Sequence, residues 1–227
     1  RHQAPERGTG GWDRPHGGHG CNGGKPANAS IAAMLPMPPP ALDLIVETQP
    51  LPYEARLEAR PRAQIDLVVV HCTELPDLAT AREFGERVLY AGSGTGNSGH
   101  YYIDRDGSVH LWVSPERVAN HTRGYNPRSI GIELVNTGRY PHWLHAAHQA
   151  MDEPYTEAQI VALVALLQSL ADEYPSLRSI AGHEDLDTTT VPADDDPSQT
   201  VHRKRDPGPL FPWQRILDAI PLKRLTP

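Results

Sequence analysis

A chain of 227 residues can enclose a full hydrophobic core, and its 28 Asp and Glu against 21 Lys and Arg leave a formal charge of −7. No basic stripe offsets that charge, which argues against a nucleic-acid partner held through phosphates. The longest apolar run falls well short of the ~20 residues that a membrane span requires, so no transmembrane segment is expected.

Residues 1–40 hold too few apolar side chains to offset the entropy of ordering them. They are crowded with Gly, His and Asn and then with Pro36, Pro38, Pro39 and Pro40. A flexible arm is expected there, with the folded domain over 41–227. His16, His19 and Cys21 have a spacing that could hold a metal loosely, but a Gly-rich tail favours no site. The start at Arg1 rather than Met fits a processed or trimmed product.

Within the domain, residues 44–46 suggest a short edge strand. The Val-rich run over 65–70 predicts a strand covered on both faces, with His71 at its C-terminal end. Asp77 can cap a helix extending to about Tyr90. Strands are expected over 100–103 and 109–113, joined by a turn at Asp106-Gly107. Another buried strand over 130–135 carries Glu133, and a long surface insertion follows over 140–154. Thr156 and Gln159 form a capping box for a helix over 157–173, which Pro175 ends. Ile180-Ala181-Gly182 leads into His183, and 213–220 is a last short helix. Strands interleaved with helices make the class α/β, with a mixed sheet flanked by helices. Cys72 could pair with Cys21, although its place at a buried strand end favours a buried thiol.

Chemistry is concentrated in three separated segments: Val69-Val70-His71-Cys72-Thr73, Gly131-Ile132-Glu133-Leu134, and Gly182-His183-Glu184 with the later Lys204-Arg205-Asp206-Pro207-Gly208-Pro209. Two histidines and a carboxylate suffice for a catalytic zinc, which keeps a fourth position for water. Taken singly, each residue has a plainer use: His71 and His183 as hydrogen-bonding core residues, Asp206 as a cap of the Pro-Gly-Pro turn. The absence of a His-Glu-x-x-His helix argues against a generic metallopeptidase.

Taken together and in this order, with Gly99-His100-Tyr101-Tyr102-Ile103 before the hairpin, the segments resemble the type-2, AmpD-like N-acetylmuramoyl-L-alanine amidases. That family is related to the phage T7 lysozyme type and to the peptidoglycan recognition proteins. The resemblance covers roughly 44–220. It implies a single α/β domain with the zinc site at the strand ends. One Zn²⁺ would be held by His71, His183 and Asp206, with Glu133 as general acid and base and Lys204 steadying the oxyanion. His121, in Asn120-His121-Thr122, resembles a Trp-His pair at the substrate groove, with Asn120 in place of the Trp; a surface hydrogen-bonding role is the other expectation. Residues 186–203 form a longer loop than the family pattern has. They bring in His202 and Asp194-Asp195-Asp196 as rival third ligands and could shape the groove as a lid. His142, His145 and His148 recur every three residues in the 140–154 insertion, where an exposed polar face is expected.

The function implied is zinc-dependent hydrolysis of the amide between N-acetylmuramic acid and L-alanine in peptidoglycan or muropeptides. The alternative is a recognition module that holds the stem peptide without cutting it. An envelope location, periplasmic or secreted, fits the polar arm, with the cytoplasm as the alternative.

Overall fold

The computed structural model describes residues 44–226. The expected arm, with His16, His19 and Cys21 and so any pairing of Cys21 with Cys72, lies outside the described residues.

A seven-stranded mixed sheet organises the domain. Its strands are β1 (Val46–Thr48), β2 (Leu67–Cys72), β3 (Tyr101–Ile103), β4 (Val109–Leu111), β5 (Ser129–Leu134), β6 (Ser179–Gly182) and β9 (Lys223–Arg224), in the spatial order β1-β4-β3-β5-β2-β6-β9. Within it β3 and β4 pair antiparallel, while β5, β2, β6 and β9 run parallel. All six residues of β2 are buried, as a strand with neighbours on both sides and layers on both faces must be. Alternation divides its side chains: Val68 and Val70 face one core, Leu67 and Val69 the other.

The first core is closed by α2 (Glu157–Glu173), whose Ile160, Leu163, Leu167 and Leu170 repeat at helical spacing, and by Ile216 of α4 (Trp213–Ala219). The expected capping box is present: Gln159 N–H donates to Thr156 Oγ1 at 3.1 Å, and Thr156 N–H to Gln159 Oε1 at 3.1 Å. On the opposite face α1 (Leu78–Glu86) packs Ala81 beside Trp112 and Tyr102, whose rings stack at 3.6 Å. Helices therefore flank a mixed sheet, as expected.

Several boundaries differ from expectation. The edge strand begins two residues later, at Val46, where pairing with Val109 starts. The strand β2 runs on through His71 and Cys72 because both pair with β5, His71 opposite Glu133 and Cys72 opposite Leu134. The helix α1 keeps its Asp77 cap (Thr80 N–H to Oδ1, 2.7 Å) but stops at Glu86, where Arg87 N–H turns back to Phe84 O. Beyond it Val88, Leu89 and Tyr90 are exposed, so no apolar face remains to extend the helix. The 186–203 segment is not a plain loop. It opens with the single turn α3 (His183–Leu186) and folds into a hairpin of β7 (Thr190–Pro192) and β8 (Thr200–His202). The strand β9 carried no expectation.

Leu163 has no solvent exposure. Leu163→Ala is expected to cost about 2–5 kcal/mol, while Thr156→Ala, which removes only the cap, should cost about 1 kcal/mol. Urea titrations of the two variants, with unchanged slopes, check the ranking.

Candidate metal centre

The parallel register builds the site. His71 near the end of β2, Glu133 near the end of β5 and His183 one residue past β6 all emerge at the C-terminal ends of adjacent parallel strands, where open α/β sheets collect ligands. Alternation puts His71 and Glu133 on the face away from α2, with Tyr102 of β3 opposite Glu133 on its other side. Asp206 reaches the same point from the segment before α4, and Glu184 N–H donates to its backbone carbonyl at 2.9 Å.

Oδ2 of Asp206 lies 2.8 Å from His71 Nδ1 and 3.1 Å from His183 Nδ1. Among the described residues these three side chains form the one group whose ligand atoms lie within 4.8 Å of each other, and all three are buried. The rivals fall elsewhere: His202 ends β8 exposed, and Asp194 and Asp195 are exposed in the hairpin.

The proton positions follow from the hydrogen bonds. The carbonyl of Tyr125 can only accept, so Ser129 Oγ donates to it at 2.8 Å. Ser129 Oγ in turn accepts from His121 Nε2–H at 3.2 Å. Neutral His121 then has a lone pair on Nδ1, facing His71 Nε2 at 3.0 Å. Burial, then the neighbouring histidines, push His121 well below the ordinary imidazole range, so it stays neutral. His71 is therefore the donor, through Nε2. Thr122 Oγ1, 3.3 Å from His71 Nε2 and 3.0 Å from His121 Nδ1, can accept from the former and donate its hydroxyl proton to the latter.

With its proton on Nε2, His71 turns a lone pair toward a carboxylate oxygen at 2.8 Å. Two lone pairs at that distance repel unless a cation lies among them. A second proton on His71 is disfavoured, since burial first, and then the charges of His183 and Lys204, lower its pKa to about 4 despite Asp206. His183 Nε2 and Asp206 Oδ1 are buried without hydrogen-bond partners. Two histidines and one carboxylate, with ring nitrogens and a carboxylate oxygen converging on one point, fit Zn²⁺. Atoms bound to one tetrahedral zinc stand about 3.3 Å apart, close to the spacing seen.

Glu133 Oε1 lies 4.0 Å from His71 Nδ1. Burial, then the Asp206 carboxylate, raise its pKa well above that of an exposed glutamate, with Lys204 opposing. Two glycines make the approach possible. A Cβ on Gly99 would stand 2.8 Å from Glu133 Cγ, and one on Gly131 2.7 Å from the His121 ring. The ring of half-buried His121 lies on the sheet with both nitrogens engaged.

Above these residues opens a groove of about 710 Å³, with Phe84, Trp143, Leu144, Arg87, Arg123 and Arg203 along it. Half-buried Lys204 also lines it. Sequence reasoning passed over two sets of residues. Ser129 was discoverable by alternation, since it shares a face with Gly131 and Glu133. The other set gave no local signal: buried Arg139 donates to Glu74 Oε1 at 2.7 Å and Oε2 at 2.8 Å, and to the carbonyl of His202 at 2.9 Å. Glu74 is held at φ 49°, a left-handed backbone that a non-glycine residue rarely adopts. The pair grips the chain two residues before Lys204.

A family model described as N-acetylmuramoyl-L-alanine amidase matches residues 61–209. The 1,6-anhydro-N-acetylmuramyl-L-alanine amidase AmpD of Enterobacter cloacae is 34% identical over 123 residues, covering 50% of this chain and 52% of that protein. The N-acetylmuramoyl-L-alanine amidase AmiD of Escherichia coli is 31% identical over 135 residues, covering 52% and 43%. The chain therefore spans about half the length of these curated relatives. A solved structure of E. coli AmiD, in complex with the substrate anhydro-N-acetylmuramic acid-L-Ala-D-γ-Glu-L-Lys, superposes with a TM-score of 0.53 at 25% identity, over 71% of this chain and 58% of that one.

If His121 and Ser129 fix the tautomer of His71, His121→Ala and Ser129→Ala should weaken zinc binding about 10–100-fold without abolishing it. His202→Ala should leave it unchanged. Competition against a chromophoric chelator measures all three.

Proposed function

The chain belongs to the N-acetylmuramoyl-L-alanine amidase family, and from that premise we propose that it is a zinc-dependent enzyme hydrolysing the amide bond between N-acetylmuramic acid and the L-alanine of the stem peptide. The observation that carries this reading is the convergence of His71, His183 and Asp206 beside a buried Glu133 at the floor of the groove. The zinc would be held by those two histidines and the aspartate. When bound, such an ion supplies Lewis acidity, polarising a carbonyl and acidifying water.

The remaining work falls to side chains. Glu133, with its proton affinity raised by burial, is suited to take a proton from the attacking water and pass it to the leaving amide nitrogen. Both directions of transfer need a group that neither holds the proton permanently nor refuses it, which an exposed glutamate does not provide at neutral pH. Lys204 places an ammonium at the groove, where it can steady the negative charge that develops on the carbonyl oxygen. Its position rests on Arg139, which holds the carbonyls of His202 and Arg203. His121 keeps His71 in one tautomer and offers a substrate its ring edge. The arginines along the groove suit the carboxylates of a stem peptide, and Trp143 and Phe84 supply apolar walls.

We place this activity at the cell envelope, on peptidoglycan or its muropeptide fragments. Among the described residues no helix is long and apolar enough to cross a membrane.

Muropeptides incubated with the zinc-loaded protein should yield a muramic acid with a free lactyl carboxylate and a stem peptide beginning at L-alanine, resolved by chromatography and mass spectrometry. Chelation should stop the release. Intact muropeptides after incubation with zinc-loaded protein would overturn the reading. Glu133→Gln should keep its metal and its muropeptide affinity while losing about 10²–10⁴ in kcat. Lys204→Ala should lose about 10²–10³. Equal binding by wild type and Glu133→Gln with no turnover in either would instead identify a recognition module.

A further inference from the structure

A second group of ligating side chains stands outside the groove floor, in the 140–154 segment. That segment is not a helix. It is a series of turns in which His142 N–H donates to Arg139 O at 2.8 Å, His145 N–H to His142 O at 3.2 Å and His148 N–H to His145 O at 3.0 Å. Bonds between residues three apart bring side chains three apart over one another, so the spacing of the histidines becomes a stack of rings. Their centroids are separated by 5.7 Å (His142–His145), 5.0 Å (His142–His148) and 4.5 Å (His145–His148). Three imidazoles bound at about 2.0–2.1 Å to one tetrahedral ion have centroids about 5 Å apart. Gathering these nitrogens on an ion therefore asks for rotation of accessible rings rather than movement of backbone.

The backbone beneath the rings is fastened. Gln149 Nε2 donates to Trp143 O at 3.0 Å and to His145 O at 2.9 Å. The β7–β8 hairpin joins from the other side: Asp194 N–H donates to Leu144 O at 3.0 Å, and Ala146 N–H to Asp195 Oδ1 at 2.7 Å. Asp195 Oδ2 lies 3.3 Å from His145 Nδ1, which also lies 3.2 Å from Ala147 N–H. His145 can thus hold either tautomer. With Nδ1 bare it accepts from Ala147; with a cation on Nε2 it carries its proton on Nδ1 and can give it to Asp195. A carboxylate behind a histidine is the arrangement that orients metal-binding imidazoles.

We propose that His142, His145 and His148 form a second metal site, oriented by Asp195, for a zinc-class transition metal ion. Three imidazoles favour such ions over Mg²⁺ or Ca²⁺, which take oxygen ligands. The ion clasps the 140–154 segment to the hairpin, two insertions that meet at the groove. Trp143 and Leu144, which line the groove, stand between the first two histidines, and the hairpin runs directly into Lys204. Occupancy of the site therefore sets the rim of the groove. The proposal does not depend on the amidase reading.

The metal-stripped 227-residue chain titrated calorimetrically with Zn²⁺ provides the test, comparing wild type with the triple variant His142→Ala/His145→Ala/His148→Ala. The triple variant should take up one equivalent fewer. Failure of the His71, His183 and Asp206 centre to bind zinc would lower both counts together and leave that difference intact. A His16→Ala/His19→Ala/Cys21→Ala variant should match wild type. Asp195→Ala should retain the equivalent with about 10–100-fold weaker binding. Zn²⁺ should also slow amide hydrogen exchange in residues 142–148 and 194–199 of wild type, and not in the triple variant. Equal uptake by wild type and the triple variant would overturn the proposal, as would transfer of the missing equivalent to the 16–21 variant.

Discussion

The parallel pairing of β2 with β5 is the constraint on which the rest of the site depends. His71 stands opposite Glu133, so the two polar groups share the face of the sheet turned away from α2. A slip of one residue in either strand would send one of them into the apolar core and replace it with an apolar neighbour, Val70 or Cys72 in β2, Ile132 or Leu134 in β5. The register is protected because the alternate residues, Val68, Val70, Ile130, Ile132 and Leu134, are all fully buried against α2. The hydrophobic layer thus does more than stabilise the domain. It dictates which side chains can meet on the other face, and strand alternation delivers His71, Gly131, Glu133 and Ser129 there together.

Proton accounting does the rest. A backbone carbonyl at Tyr125 cannot donate, and that one fact propagates through Ser129 and His121 to decide which nitrogen of His71 is bare. Burial would raise the Asp206 pKa, yet His183 against it holds the carboxyl well below its usual range, so it stays an anion. Neutral imidazoles and an ionised carboxylate are the protonation states that a metal requires of its ligands. Glu133, a few ångströms away, is pushed in the opposite direction by burial and then by the Asp206 charge, with Lys204 opposing. Two carboxylates in one site are thereby given different chemistry by their partners.

The two insertions are coupled to this centre by polar contacts as well as by the packing of Trp143 against the cluster around Trp112 and Tyr102. Arg139 and Glu74 form a buried pair beneath them, and removing either partner would leave the other charge uncompensated. The pair also accounts for the left-handed backbone at Glu74: the carboxylate it aims at Arg139 is reached from that conformation, and Gly138 beside it has no Cβ to obstruct the side chain. Through the carbonyls of His202 and Arg203, the same guanidinium holds the approach to Lys204.

By itself the sequence determined the layers and much of the site. The Val-rich run of β2, the capping box of α2 and the turn at Asp106-Gly107 are local signals, each legible because its physics involves residues only a few positions apart. The motif segments around His71, Glu133, His183 and Asp206 were legible as patterns of residue type; that His71 and Glu133 share a face follows from the register of β2 on β5. Tertiary structure alone decided how far β2 runs, since Cys72 belongs to the strand only because Leu134 lies opposite it. It brought Asp206 onto His71 and His183, as the motif implied, and left the rival His202 exposed at the end of β8. The pairing of Glu74 with Arg139, across 65 positions, and the stacking of three histidines in turns rather than on a helix were likewise invisible in the sequence. Such contacts depend on distances between segments that only the closed sheet brings together, and no local propensity encodes them.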